Sequence, residues 1–317
     1  MDIFPSAAPH WHLLLNHFPS IGGVFALGLL VASYYVGSID LRKAGLVAFV
    51  VIGLLTIPTF ITGAAAGWRI QGQEGISWEL IVHHMDAAIV AFSLLLISAW
   101  LAWIALWQYR RFSAPNKLLE PGVLVFGVLS ILALIRVGTR GGDINHPEIA
   151  HADALAAASN APEFGLAASI ENFTIGSQFI WPIMEAIHFM GMAVLFGPLV
   201  LIAMRMFGLA RNLSFASLHR LLPMAVFGFM VNVITGMMFF VSNSGRYVAM
   251  TDTFYPKMAL IVIGGCAVLY YTIFDRPWAL KPEEEAPMLS KGVAAATVIM
   301  WTAVLVYGRW LPYGAGG

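Results

Sequence analysis

The sequence predicts an all-α, polytopic membrane protein: eight transmembrane helices in two tandem four-helix bundles, with both termini on the periplasmic side. Three observations predict it. Of 317 residues, 59% are hydrophobic and 11% charged, against about 25% charged in a soluble domain, and the mean hydropathy is +0.80. Eight runs approach the roughly 20 apolar residues that a helix needs to cross a bilayer core. Finally, Lys and Arg are shared unequally between the two sets of alternating loops.

In chain order the expected spans cover roughly residues 13–36, 44–67, 79–107, 119–138, 177–204, 221–241, 257–275 and 291–310. The first is expected to stay in the mature fold, because no Lys or Arg precedes it and no small-residue cleavage site follows its apolar stretch. The second closes on Gly63-Ala64-Ala65-Ala66-Gly67, a G-x-x-x-G stretch that reads as close helix packing or as a flat cofactor surface. The third opens with His83-His84, and the fourth ends among Arg136 and Arg140. The fifth carries Glu185-x-x-His188 and the sixth Asn232. The seventh holds the single cysteine, Cys266, which excludes an intrachain disulfide and leaves no C-x-x-C-H for covalent haem. The eighth lies between Lys291 and Arg309, and tryptophans such as Trp11, Trp68, Trp107, Trp181 and Trp310 sit near span ends as an interfacial belt.

Eleven Lys and Arg fall in one set of loops, among them Arg42, Lys43, Arg110, Arg111 and Lys117, and the remaining six of the seventeen in the other. The positive-inside rule puts the eleven in the cytoplasm of a bacterial inner membrane and both termini outside. Acidic and basic residues balance at seventeen each with no basic block, so no electrostatic footprint for nucleic acid is present. The longest loop divides the chain into an N-terminal bundle (1–150), a periplasmic linker (151–176) and a C-terminal bundle (177–317). Between Gly141 and Asn172 this region carries Asp143, Glu148, Asp153, Glu163 and Glu171 without a Lys or Arg, an acidic surface suited to a basic partner.

The chemistry lies in nine histidines. An imidazole inside a membrane is costly unless paired, which makes each intramembrane histidine a functional candidate. His17 is about four residues into the first span and His84 about five into the third, so at about 1.5 Å per residue both reach similar depth from the same side. Two histidines at one level can ligate one iron. His84 shares a helix stripe with Ala88 and Ala91, whose small side chains leave room for a macrocycle, whereas His83 points about 100° away. Arg69, Arg136 and Arg140, at the same rim, are placed to meet haem propionates or to snorkel to lipid headgroups. Asp86 reads as orienting an imidazole, carrying protons or pairing with Arg69 or Arg136. In the second half His188 is close in depth to Asn232, a pair suited to a shared hydrogen bond or a quinone carbonyl; with no histidine in the seventh span, that half builds no bis-histidine haem alone. His10, His12, His146 and His151 form a set able to hold copper or zinc. No H-E-x-x-H, Walker A or G-x-S-x-G motif occurs, which leaves hydrolase and nucleotide chemistry without support.

Asn16-His17-Phe18-Pro19, the His83-His84 pair and the turn from Gly141 to Ile149 resemble a bacterial family of uncharacterised four-helix membrane proteins. Glu185-Ala186-Ile187-His188-Phe189 and Arg220-Leu221-Leu222-Pro223 resemble a second such family, and both halves are loosely similar to four-helix membrane cytochromes b. That resemblance implies haem b held inside a helical bundle. The expected function is thus a b-type cytochrome-like electron-transfer subunit, with iron on His17 and His84 and with His83 and His188 as further candidates. It would work between a quinone pool and a periplasmic partner such as a c-type cytochrome, within a larger membrane complex. The alternatives are a non-redox scaffold or anchor subunit, and a protein that handles metal at the periplasmic face.

Overall fold

The structure, a computed structural model, describes residues 7–112, 114–145, 165–274, 278–281 and 284–311. The described residues form helices α1 (Ala8–Leu15), α2 (Gly23–Val36), α3 (Ile39–Ile70), α4 (Trp78–Arg111), α5 (Leu119–Asn145), α6 (Leu166–Ile175), α7 (Ile180–Met206), α8 (Phe215–His219), α9 (Leu222–Ser242), α10 (Ser244–Ala249), α11 (Phe254–Ile273) and α12 (Met288–Trp310), with no strand among them. Eight helical segments are long and apolar enough to cross a membrane, and they coincide with the eight expected runs. The protein is a multi-pass membrane protein in contact with lipid. Side chains such as Leu132 and Ile135 on α5, 58% and 62% exposed, are the apolar surface that lipid covers.

The first span is not one straight helix. Between α1 and α2 the chain makes a π turn over Phe18–Gly22, where Pro19 supplies no amide hydrogen for regular i to i−4 bonding. Gly37, at φ 69°, ends α2, and Ser38 caps α3 by accepting the Leu41 amide at 3.2 Å. Helix α3 continues through Pro58, whose missing amide leaves the Leu54 carbonyl without its usual helical partner.

The chain forms two compact units, each drawing on both halves of the sequence. The first comprises Met1–Ala99, Pro121–Ile180 and Met238–Val248. Its helices meet at glycines: a Cβ on Gly45 would lie 3.0 Å from the Leu30 amide nitrogen, one on Gly127 2.9 Å from the Phe49 ring, and one on Gly53 would collide with the Ala99 methyl. Close backbone approach of this kind drives helix association in lipid, where hydrophobicity offers little. The core between them includes Ala26, Leu30, Leu46, Phe49 and Leu95.

The second unit comprises Trp100–Glu120, Trp181–Met237 and Ala249–Gly317. Here α7 meets α9 where a Cβ on Gly191 would lie 2.9 Å from Val231. Buried Ile202, Met206, Phe215, Leu218, Leu222 and Tyr271 form a core under α8. Trp103 Nε1 donates to Thr272 Oγ1 at 2.9 Å, and Trp107 Nε1 donates to the His219 carbonyl at 3.0 Å. These bonds satisfy indole donors that lipid cannot.

Candidate functional site

The first unit encloses a cavity of about 1120 Å³, bordered by the ends of α1, α3, α4 and α5, by α6 and by the segment from Val241 to Arg246. Its wall is mostly apolar and rich in small residues, among them Ala64, Gly67, Ala88, Ala91 and Gly138. The stripe of alanines below His84 that the sequence marks as roomy is therefore part of this wall.

Two imidazoles of different helices border the cavity. His12, on α1, bonds through Nδ1 to the Thr59 carbonyl of α3 at 3.1 Å. His84, on α4, bonds through Nδ1 to the Val137 carbonyl of α5 at 3.0 Å. A carbonyl only accepts, so each Nδ1 carries the hydrogen and each Nε2 keeps its lone pair. Both residues border the cavity, and among the described residues neither Nε2 has a hydrogen-bond partner. A histidine whose far nitrogen donates to a backbone carbonyl has the tautomer and orientation of a metal ligand.

Their mutual geometry narrows the chemistry. The ring centroids lie 6.4 Å apart, with the planes at 84°. Imidazole nitrogen sits about 2.0–2.1 Å from a first-row metal, which puts centroids about 6.4 Å apart for two imidazoles in trans and about 5.2 Å apart at a tetrahedral angle. The observed centroid spacing matches the first value, with the two ring planes nearly perpendicular, edge to face. Among the described residues no group of three or more His, Cys, Asp and Glu side chains converges on a common point.

The two rings rest on glycines. A Cβ on Gly63 would lie 2.8 Å from His12 Cε1, and one on Gly141 would lie 3.2 Å from His84 Cε1. Gly67, by contrast, lets Ile81 of α4 approach, since a Cβ there would be 2.9 Å from it. The close-packing reading of the G-x-x-x-G stretch therefore holds at both ends, against a side chain of α1 at Gly63 and of α4 at Gly67.

Of the expected site residues, the structure brings His84 to the cavity together with His17, but the ring opposite His84 is that of His12. His17 is exposed and lies just before the π turn. Five residues separate His12 from His17, about 140° around a helix at about 100° per residue, so the two imidazoles leave the first span in different directions and depth alone does not say which meets His84. His83 does not border the cavity, and its Nε2 is buried without a hydrogen-bond partner. Arg69 and Arg136 are exposed and away from the cavity wall, and Arg140 is paired at 3.6 Å with buried Asp143. Arg246, which the sequence did not single out, is at the wall instead. Among the described residues Asp86 bonds to no imidazole or arginine: its Oδ1 accepts the Ala167 amide at 2.9 Å and so caps α6. Asp143, buried, is no part of an acidic surface, while Glu171 faces the cavity; Glu148, Asp153, Glu163, His146 and His151 lie outside the described residues.

In the second unit His188 Nδ1 is 2.7 Å from Thr235 Oγ1, whose own hydrogen goes to the Val231 carbonyl at 2.8 Å. Asn232 bonds instead to the Gly228 carbonyl at 2.8 Å, leaving Oδ1 buried and unpartnered. His188 thus meets Thr235, one turn along α9 from Asn232. Comparison of the chain with protein-family models, curated proteins and solved structures returned no match, and the functional reading rests on this geometry.

Proposed function

We propose that the protein is a b-type cytochrome-like electron-transfer subunit of the bacterial inner membrane, binding haem b between His12 and His84. The observation that carries this reading is the histidine pair at the cavity wall, with ring centroids 6.4 Å apart and both Nδ1 atoms on backbone carbonyls of neighbouring helices. Haem supplies one-electron redox chemistry when bound, at a potential tuned by its ligands and surroundings. The chain's own part is to hold the two imidazoles in place, since each ring is bonded through Nδ1 to a backbone carbonyl and has its Cε1 edge against a glycine. The apolar wall excludes water, and α6, tied to α4 through Asp86, covers one side.

The site lies at the end of the first span that carries the N-terminus, and the excess of basic residues in the other set of loops supports a periplasmic position for it. A centre there would take electrons from a quinol in the bilayer and pass them to a periplasmic c-type cytochrome or to another subunit of a membrane complex. A single linear metal ion between the imidazoles is the competing reading, favoured by the same spacing, and it corresponds to periplasmic metal handling. The cavity volume favours the macrocycle. The experiment is to purify wild-type, His12→Ala, His84→Ala and His17→Ala proteins and to record spectra and metal content. The expected outcome is a low-spin haem spectrum lost in His12→Ala and His84→Ala and kept in His17→Ala. Copper or zinc without haem would favour metal handling, and loss in His17→Ala with retention in His12→Ala would return the ligand role to His17.

A further inference from the structure

We infer that Arg246 receives the carboxylates of the macrocycle and so fixes which of its edges points toward α10, an inference that rests on the haem reading above. A b-type haem carries two carboxylates on one edge, and in a mostly apolar cavity that edge needs a cation or water. Among the described residues bordering the cavity, Arg246 is the sole Lys or Arg. Its guanidinium has no hydrogen bond or ion pair among the described residues, and it is exposed, at the boundary between cavity and surface. That position suits a group half in the membrane and half in water.

The segment that carries it is held in place. Trp68 Nε1 donates to Ser244 Oγ at 3.0 Å, and the indole lies so close to Gly245 that a Cβ there would be 3.0 Å from it. Trp68 and Trp78 pack at 5.2 Å between ring centroids, and both border the cavity. The end of α3 and the start of α4 thus fix α10 through two indoles, and Arg246 follows immediately. A planar guanidinium matches a carboxylate with two parallel hydrogen bonds, which a lysine only approximates. Glu171, the one carboxylate among the described residues at the wall, contributes negative charge and is no counterpart for propionates.

A positive charge at the carboxylate edge disfavours the oxidised iron, whose charge is higher, and so raises the midpoint potential. The test is a redox titration of purified wild-type protein, Arg246→Gln, Arg246→Lys, Arg69→Gln and Arg136→Gln. Arg246→Gln is expected to fall below wild type, Arg246→Lys to stay near it, and the two other glutamine variants to match it. An unchanged potential in Arg246→Gln, or an equal fall in Arg69→Gln, would overturn the assignment while leaving the haem reading intact. Should Arg246→Gln lose haem, retention in Arg246→Lys supports a charge pair, and equal loss in Arg246→Lys overturns it. A wild-type protein without haem would overturn both readings.

Discussion

At the scale of single residues the site depends on two rings held from behind. Gly63 is the sharpest case, because a methyl there would sit 2.8 Å from His12 Cε1. Gly63→Ala is expected to push the imidazole out of line and to weaken haem binding at least tenfold, which corresponds to about 1.4 kcal/mol. Gly28→Ala, with open space around the added carbon, is the control and is expected to bind as wild type. Haem titration of the two variants decides this: equal affinities would remove Gly63 as the seat of His12. The interplanar angle of 84° adds a spectroscopic expectation. Nearly perpendicular axial imidazoles give a strongly anisotropic low-spin electron paramagnetic resonance signal, whereas coplanar rings give a rhombic one, and a rhombic spectrum would contradict the arrangement. The place of His84 on the cavity wall was legible in the sequence, because it shares a helix stripe with Ala88 and Ala91, which border the same space. The sequence pointed to His17 beside it by depth alone, and depth does not tell His17 from His12, which borders the same cavity and lies nearest the His84 ring.

At the scale of elements, α6 is the part the sequence hid. Ten residues, Leu166–Ile175, are too few to register as a span, and they fall in a stretch that reads as linker. What anchors this helix is Asp86, a residue of α4 placed 81 positions away, accepting the Ala167 amide. Sequence spacing cannot reveal a cap supplied from another helix. Removing such a cap costs about 1 kcal/mol, so Asp86→Ala is expected to speed amide exchange at residues 167–170 roughly fivefold while leaving α3 and α4 protected. Unchanged exchange in α6 would mean that its packing, through buried Ala167 and Thr174, holds it without the cap. Arg246 was hidden for a similar reason: its place at the wall depends on α10, six residues whose position is set by Trp68.

For the whole molecule, composition and hydropathy made the eight spans legible, because a bilayer demands continuous apolar length and leaves few alternatives. Where the helices group was not legible, since grouping follows from glycine contacts such as Gly45 on Leu30 and Gly191 on Val231, which no periodicity announces. The orientation argued from basic residues predicts that a cysteine at position 73 is labelled from the periplasmic side of intact cells and one at position 114 is not, in a Cys266→Ser background. Reversed labelling would put the site at the cytoplasmic face and exclude a periplasmic acceptor. The most direct measurement for the central claim is the reduced-minus-oxidised absorption spectrum of the purified full-length protein, with haem quantified in the same sample. Stoichiometric haem b with the sharp α band of a six-coordinate, low-spin centre is the predicted result. A protein that is folded, helical and free of haem when isolated from cells supplied with it would contradict the account.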